Sequence, residues 1–165
     1  MKNNIRWMMG AALVFALQIA FAAAANAATY YVRTDGGTAA QCNGTDDAPA
    51  SAAPNCAWSN PTVALPMGDG QYGYKIPPAL IKAGDTLVIG SGSYMIGYSE
   101  TPIAGTQGQA CGKSNPYECS ISNIPSGIDA AHPTVITGDC TKPPELWGTQ
   151  RNDVLIALSG LHDVT

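Results

Sequence analysis

Three runs carry the reading of the fold: Thr86-Leu87-Val88-Ile89-Gly90, Thr134-Val135-Ile136-Thr137-Gly138 and Val154-Leu155-Ile156-Ala157-Leu158-Ser159-Gly160. Each is apolar, lacks polar alternation and closes on glycine. Short runs of this kind are what strands covered on both faces look like. No amphipathic helix fits between the second and third, because Pro143-Pro144 interrupts the segment. Strands joined by loops rather than helices, at a recurring spacing, suit a parallel solenoid. A β-sandwich with long disulfide loops accommodates the same runs, and patterning alone leaves both open.

Working outward, Thr29-Tyr30-Tyr31-Val32 is aromatic and β-branched, hence a strand, with Asp35-Gly36-Gly37 expected to end it. Asn60-Pro61-Thr62-Val63-Ala64-Leu65 predicts a short helix, Asn60 capping it and Pro61 at its first position. Lys82-Ala83-Gly84-Asp85 reads as a turn into the first apolar run, and Ser91-Gly92-Ser93 as a turn into Tyr94-Met95-Ile96. Residues 97–133 read as largely irregular. With 18 glycines and 12 prolines in 165 residues, and 12% charged residues, the chain is loop-heavy without the charge of a disordered acidic tail. No second long apolar run exists for a multispan membrane protein.

Residues 1–27 have the three parts of a secretory signal: Lys2 and Arg6, an apolar stretch from Trp7 to Ala25 broken by Gln18, and the small-residue site Ala25-Asn26-Ala27. Cleavage is expected between Ala27 and Ala28, leaving 28–165 as the mature domain. Removal takes both phenylalanines, Phe15 and Phe21, and moves the net charge two units beyond −4. The expected location is secreted or periplasmic, with no membrane attachment after processing. Export makes the five cysteines readable as structural bridges. Locality favours Cys42–Cys56 and Cys111–Cys119, leaving Cys140 over, although sequence alone does not choose the pairing. Zinc would need paired ligands at short spacing, and there is no CxxC or HxxxH; His132 and His162 are the histidines.

The chain resembles the N-terminal part of secreted bacterial right-handed parallel β-helix proteins, the pectate-lyase-like superfamily. The likeness rests on TYYVRTDGG (Thr29–Gly37), CAW (Cys56–Trp58), KAGDTLVIGSGSY (Lys82–Tyr94), PSGIDAAHPTVITG (Pro125–Gly138) and PPELWGT (Pro143–Thr149). It implies an all-β fold, a right-handed parallel β-helix with an N-terminal cap, a short helix and the first coils. Members continue through more coils, whereas this chain stops at Leu161–Thr165, where another strand is expected to begin. Residues 28–165 are therefore read as the truncated start of such a domain.

Chemistry-bearing motifs are few. Gly68-Asp69-Gly70-Gln71-Tyr72-Gly73 matches GxGxxG, but Pro66 before it and Pro77-Pro78 after it deny the strand and helix that a dinucleotide requires. Ser91 and Ser93 are turn residues with no histidine near in sequence. Asn43, Thr45, Asp46 and Asp47 offer oxygens to calcium, too few for its ligand count, and read as a solvated loop. His132 precedes Pro133 and is expected on extended loop backbone. His162 and Asp163 are expected on opposite faces of a strand. Trp58 and Trp147 could stack on sugars, with Trp147 expected instead to pin a loop to the cap. The basic residues of the mature chain (Arg33, Lys75, Lys82, Lys113, Lys142 and Arg151) are scattered, so no catalytic residue, cofactor or metal is assigned. The resemblance implies the non-catalytic N-terminal portion of a carbohydrate-acting, lyase- or hydrolase-like extracellular protein, with polysaccharide as partner. The competing class is a non-catalytic surface or binding solenoid. The acidic balance argues against nucleic acid.

Overall fold

The computed structural model describes residues 27–67, 78–96, 120–148, 156 and 158–165. These residues are mostly strand and loop with little helix, and the named strands pair in parallel. Strand β1 (Thr29–Gly37) pairs with β2 (Thr86–Ile89), which pairs in turn with β4 (Val135–Gly138). The register puts Thr29, Thr86 and Val135 on one rung, and Tyr30, Leu87 and Ile136 on the next. A second parallel sheet joins β3 (Gly92–Ile96) to β5 (Pro144–Gly148), with Tyr94 opposite Leu146. The succession β2 then β3, and β4 then β5, gives each sheet one strand from each passage of the chain. A further parallel bridge sets Val164 beside Thr134, held by Thr134 N–H to the Asp163 carbonyl and Thr165 N–H to the Thr134 carbonyl.

Alternation along the strands decides what is buried. Leu87 and Ile89 of β2 are buried while Thr86 and Val88 are half-covered, so one face of this strand is fully interior, not both as the apolar run predicts. The interior rungs stack Val32 on Ile89, and Tyr94 and Ile96 of β3 enter the same core from the second sheet. Full burial of each such side chain stabilises by roughly 1.5–3 kcal/mol. Of the last apolar run, Val154–Gly160, only Ile156 and residues 158–160 are described; Ile156 makes a parallel bridge to Ile121.

Helix α1 (Pro61–Ala64) forms where expected: the Asn60 side chain accepts from Thr62 N–H at 3.0 Å and from the Thr62 hydroxyl at 2.8 Å, with Pro61 at the first position. Strand β1 ends at Gly37, the last residue of the expected Asp35-Gly36-Gly37 terminator, where Gly37 N–H donates to the Ala57 carbonyl and Ser59 N–H to the Gly37 carbonyl. Gly36 lacks the Cβ that would collide with the Trp58 backbone, which is what lets the chain pass so close. Trp147 does not pin a loop: it lies in β5 and is 45% exposed.

Candidate functional site

The segment between β1 and α1 is built around the Cys42–Cys56 disulfide, which closes a loop with a sequence separation of 14. Just past that loop, and packed against it, Trp58 is 3% exposed, donates its indole N–H to the Cys42 carbonyl at 2.9 Å and stacks on Tyr30 at 5.2 Å. Its burial removes it from any role in stacking on sugars. Arg33 leaves β1 to grip both Asp35 carboxylate oxygens, at 2.7 and 3.1 Å, and Asp47 at 2.9 Å. The Arg33 hydrogen bond, foremost, holds the Asp35 carboxyl below its usual range. The remaining calcium candidates are turned inward on the loop: the Asn43 side-chain oxygen accepts from Thr45 N–H and its hydroxyl, while the Asn43 amide donates to Asn55. Among the described residues no three acidic, histidine or cysteine side chains converge as a metal site. Cys140 carries a free, exposed thiol. Cys111, Cys119, Lys75, Lys113, Arg151 and the Gly68–Gly73 motif lie outside the described residues.

Two imidazole–carboxylate pairs occur near the end of the chain. His132 Nδ1 meets Asp129 Oδ1 at 2.8 Å, within a turn in which the same oxygen accepts the backbone N–H groups of Ala131 and His132. The His132 ring contact is the chief reason that the Asp129 carboxyl sits below its usual range. His162 Nδ1 meets Asp163 Oδ2 at 3.1 Å, which corrects the expectation that these neighbours point apart. The physical reason is the backbone: Asp163 has φ 52°, the left-handed region, so the alternation of an extended strand does not apply. The two segments are laced together through Gly127 N–H to the His162 carbonyl, and His162 N–H to the Ser126 hydroxyl at 3.4 Å. Ser126 thus meets the backbone of His162, not its ring. Both rings are exposed and hydrogen-bond to carboxylates, the geometry of surface turns rather than of an activated nucleophile.

The outward face of the β3–β5 sheet is the more distinctive surface. Ser93 opposes Glu145, and its hydroxyl donates to the Glu145 carboxylate at 2.9 Å. On the next outward rung Met95 opposes the exposed Trp147. Tyr94 and Leu146, one residue away on each strand, point into the protein and anchor the pair. The result is a flat ledge: an indole and a thioether beside a carboxylate and a hydroxyl, fixed by parallel backbone pairing. Sequence reading noted Trp147 but assigned it to a loop because of the preceding prolines, and Glu145 and Ser93 went unnoticed as a pair because they lie far apart along the chain.

The described residues form a strand-rich protein of parallel sheets, braced by one disulfide among them, Cys42–Cys56. No protein-family model, curated protein or solved structure matches it.

Proposed function

We propose that this chain is exported and forms the cap and first coils of a right-handed parallel β-helix, the non-catalytic N-terminal portion of a carbohydrate-acting extracellular protein. The observation that carries the carbohydrate reading is the ledge of Trp147, Met95, Glu145 and Ser93 on the outward face of β3–β5. A sugar ring has an apolar face of C–H groups and a rim of hydroxyls. An indole supplies a rigid apolar platform at low entropic cost, and a carboxylate beside it accepts hydroxyl protons. The solenoid reading is supported by the shared parallel register of β1, β2 and β4, and by the recurrence of the strand order from one passage to the next. The cleavage site at Ala27-Ala28 and the bridge formed by Cys42 and Cys56 support export.

The ledge carries one negative charge, and the chain has net charge −4, so the glycan it suits is neutral. The test is affinity electrophoresis of the full chain through gels containing neutral glucans or xylan, alongside polygalacturonate and alginate. Retardation by a neutral glycan is expected, with Trp147→Ala weakening it about tenfold, or ~1.4 kcal/mol, at an unchanged thermal midpoint. Equal mobility of the parent and the Trp147→Ala variant on every polysaccharide would overturn the carbohydrate reading. Release of unsaturated or reducing sugars by the chain alone would overturn its non-catalytic character.

A further inference from the structure

Asp85 is 5% exposed and is the one ionisable side chain among the buried polar residues of the described chain. Its Oδ2 accepts Lys82 N–H at 2.7 Å, closing the turn before β2. Its Oδ1 accepts the backbone N–H of Ala28 at 2.8 Å, a contact spanning 57 residues of sequence. The Asp85 carbonyl accepts Val135 N–H, so this residue sits where β1, β2 and β4 begin together. Among the described residues no lysine, arginine or histidine side chain pairs with it; the pairs found involve Arg33, His132 and His162. A carboxylate in such a place is costly unless a cation accompanies it.

Ala28 is held on both sides. Its N–H points at Asp85, and its carbonyl accepts Thr86 N–H at 2.8 Å, the first bond of the β1–β2 ladder. Ala28 is half-buried while Ala27 is exposed. The bond between them is also the cleavage site that Ala25-Asn26-Ala27 marks in the sequence.

We propose that hydrolysis of the Ala27–Ala28 bond creates an α-ammonium that pairs with the buried Asp85 carboxylate, so that removal of the leader locks β1 onto β2 and β4. One water is consumed: its oxygen completes the Ala27 carboxylate, and its two protons join the one already on the Ala28 nitrogen to make an ammonium. A single-donor amide is thereby exchanged, at the same position, for a cation with three donors. The precursor holds its buried carboxylate with neutral donors alone; the processed chain neutralises it. The inference rests on the export reading, and the experiment separates the two.

The full chain is expressed in an exporting host, and the amino terminus of the product is read by mass spectrometry. A second chain carries one extra alanine inserted between Ala27 and Ala28, which keeps the small-residue site but returns an amide to the Ala28 position and moves the ammonium a residue away. Both are also made with Asp85→Asn. The insertion is expected to lower the thermal midpoint of the parent by roughly 4–10 °C, and to have no further effect with Asp85→Asn. If the Asp85→Asn chain does not fold, the α-amine of the parent is compared with that of the insertion chain for acylation at neutral pH; the parent is expected to react at least about tenfold more slowly. A terminus other than Ala28 overturns the cleavage reading and this one with it. An Ala28 terminus with equal midpoints, with additive effects, or with equal acylation rates overturns the ion pair alone.

Discussion

Replacing both Cys42 and Cys56 with alanine removes the one disulfide brace among the described residues. The two residues are 2% and 0% exposed, and their bond closes a loop with a separation of 14. Restricting the unfolded chain over a loop of that length stabilises by about 3 kcal/mol in the chain-entropy model. The loop is otherwise held by Asn43 N–H to the Pro54 carbonyl, Gly44 N–H to the Cys56 carbonyl and the Trp58 indole on the Cys42 carbonyl. These bonds keep the folded loop in shape, so the loss falls on the unfolded side of the balance. For a chain of this size the midpoint of thermal unfolding is expected to fall by roughly 6–12 °C, followed by circular dichroism. Serine in place of alanine puts two hydroxyls into the same apolar site and costs a further ~1–3 kcal/mol for each left without a partner. Substitution is a cleaner perturbation than reduction, which also acts on any other bridge the chain forms. A double-alanine chain that melts within about 2 °C of the parent would refute the claim that loop closure stabilises this part of the fold. A double-serine chain more stable than the double-alanine one would refute the burial argument.

Gly44 has φ 79°, and a Cβ there would run into the Trp58 ring; Gly44→Ala is therefore expected to cost at least ~1–3 kcal/mol by urea titration and to disturb the indole fluorescence, whereas an unperturbed fluorescence spectrum would count against the tight seating of Trp58. Burial, foremost, raises the phenols of Tyr94 and Tyr30, with Asp85 adding to the effect at Tyr30. The folded state then holds these protons longer than the unfolded one, so the associated stability is complete below the ordinary phenol value of 10.0 and declines as pH rises through the folded values. Urea midpoints measured from pH 8 upward should accordingly fall above that value, and Tyr94→Phe should flatten the decline; an identical alkaline slope in the variant would contradict the assignment.

Local chemistry made the helix legible. Asn60 followed by Pro61 specifies a cap and a first position within two residues, and no distant contact is needed to read it. The apolar runs at Thr86 and Thr134 also read as strands, whereas their parallel pairing with each other was left open by patterning alone and is a long-range feature of the fold. What the sequence concealed was set by long-range or backbone geometry. Strand β1 keeps its course as far as Gly37 because the Trp58 backbone lies where a Gly36 side chain would be, and the Cys42 sulfur where a Gly37 side chain would be. Pro143-Pro144 looked like a loop, but proline is tolerated at the first residue of a strand, where its missing N–H need not serve the ladder; Pro144 opens β5 in that way and carries Trp147 onto an open face. His162 and Asp163 meet because one residue adopts a positive φ, for which aspartate is tolerant but not diagnostic.

The ledge and the Asp85 junction are consequences of the same parallel pairing. In a parallel pair each strand begins at the same end, so the starts of β1, β2 and β4 are gathered at one place, with Ala28, Asp85 and Thr134 within hydrogen-bonded reach. Gly84 N–H donates to the Thr134 hydroxyl there, at 3.0 Å, with Gly84 at φ 84° to make the approach. A charge placed at that end acts on three strands together. On the second sheet the same register stacks like positions outward, so Ser93 meets Glu145 and Met95 meets Trp147 although the two strands come from distant parts of the sequence. Slipping that register by one residue would turn Trp147 inward and Leu146 outward. The inward fit of Tyr94, whose hydroxyl donates to the Gly90 carbonyl at 3.0 Å, opposes such a slip by fixing β3 against its own preceding turn. The buried tyrosine thus sets where the exposed tryptophan stands, and the outward ledge inherits its geometry from the core behind it.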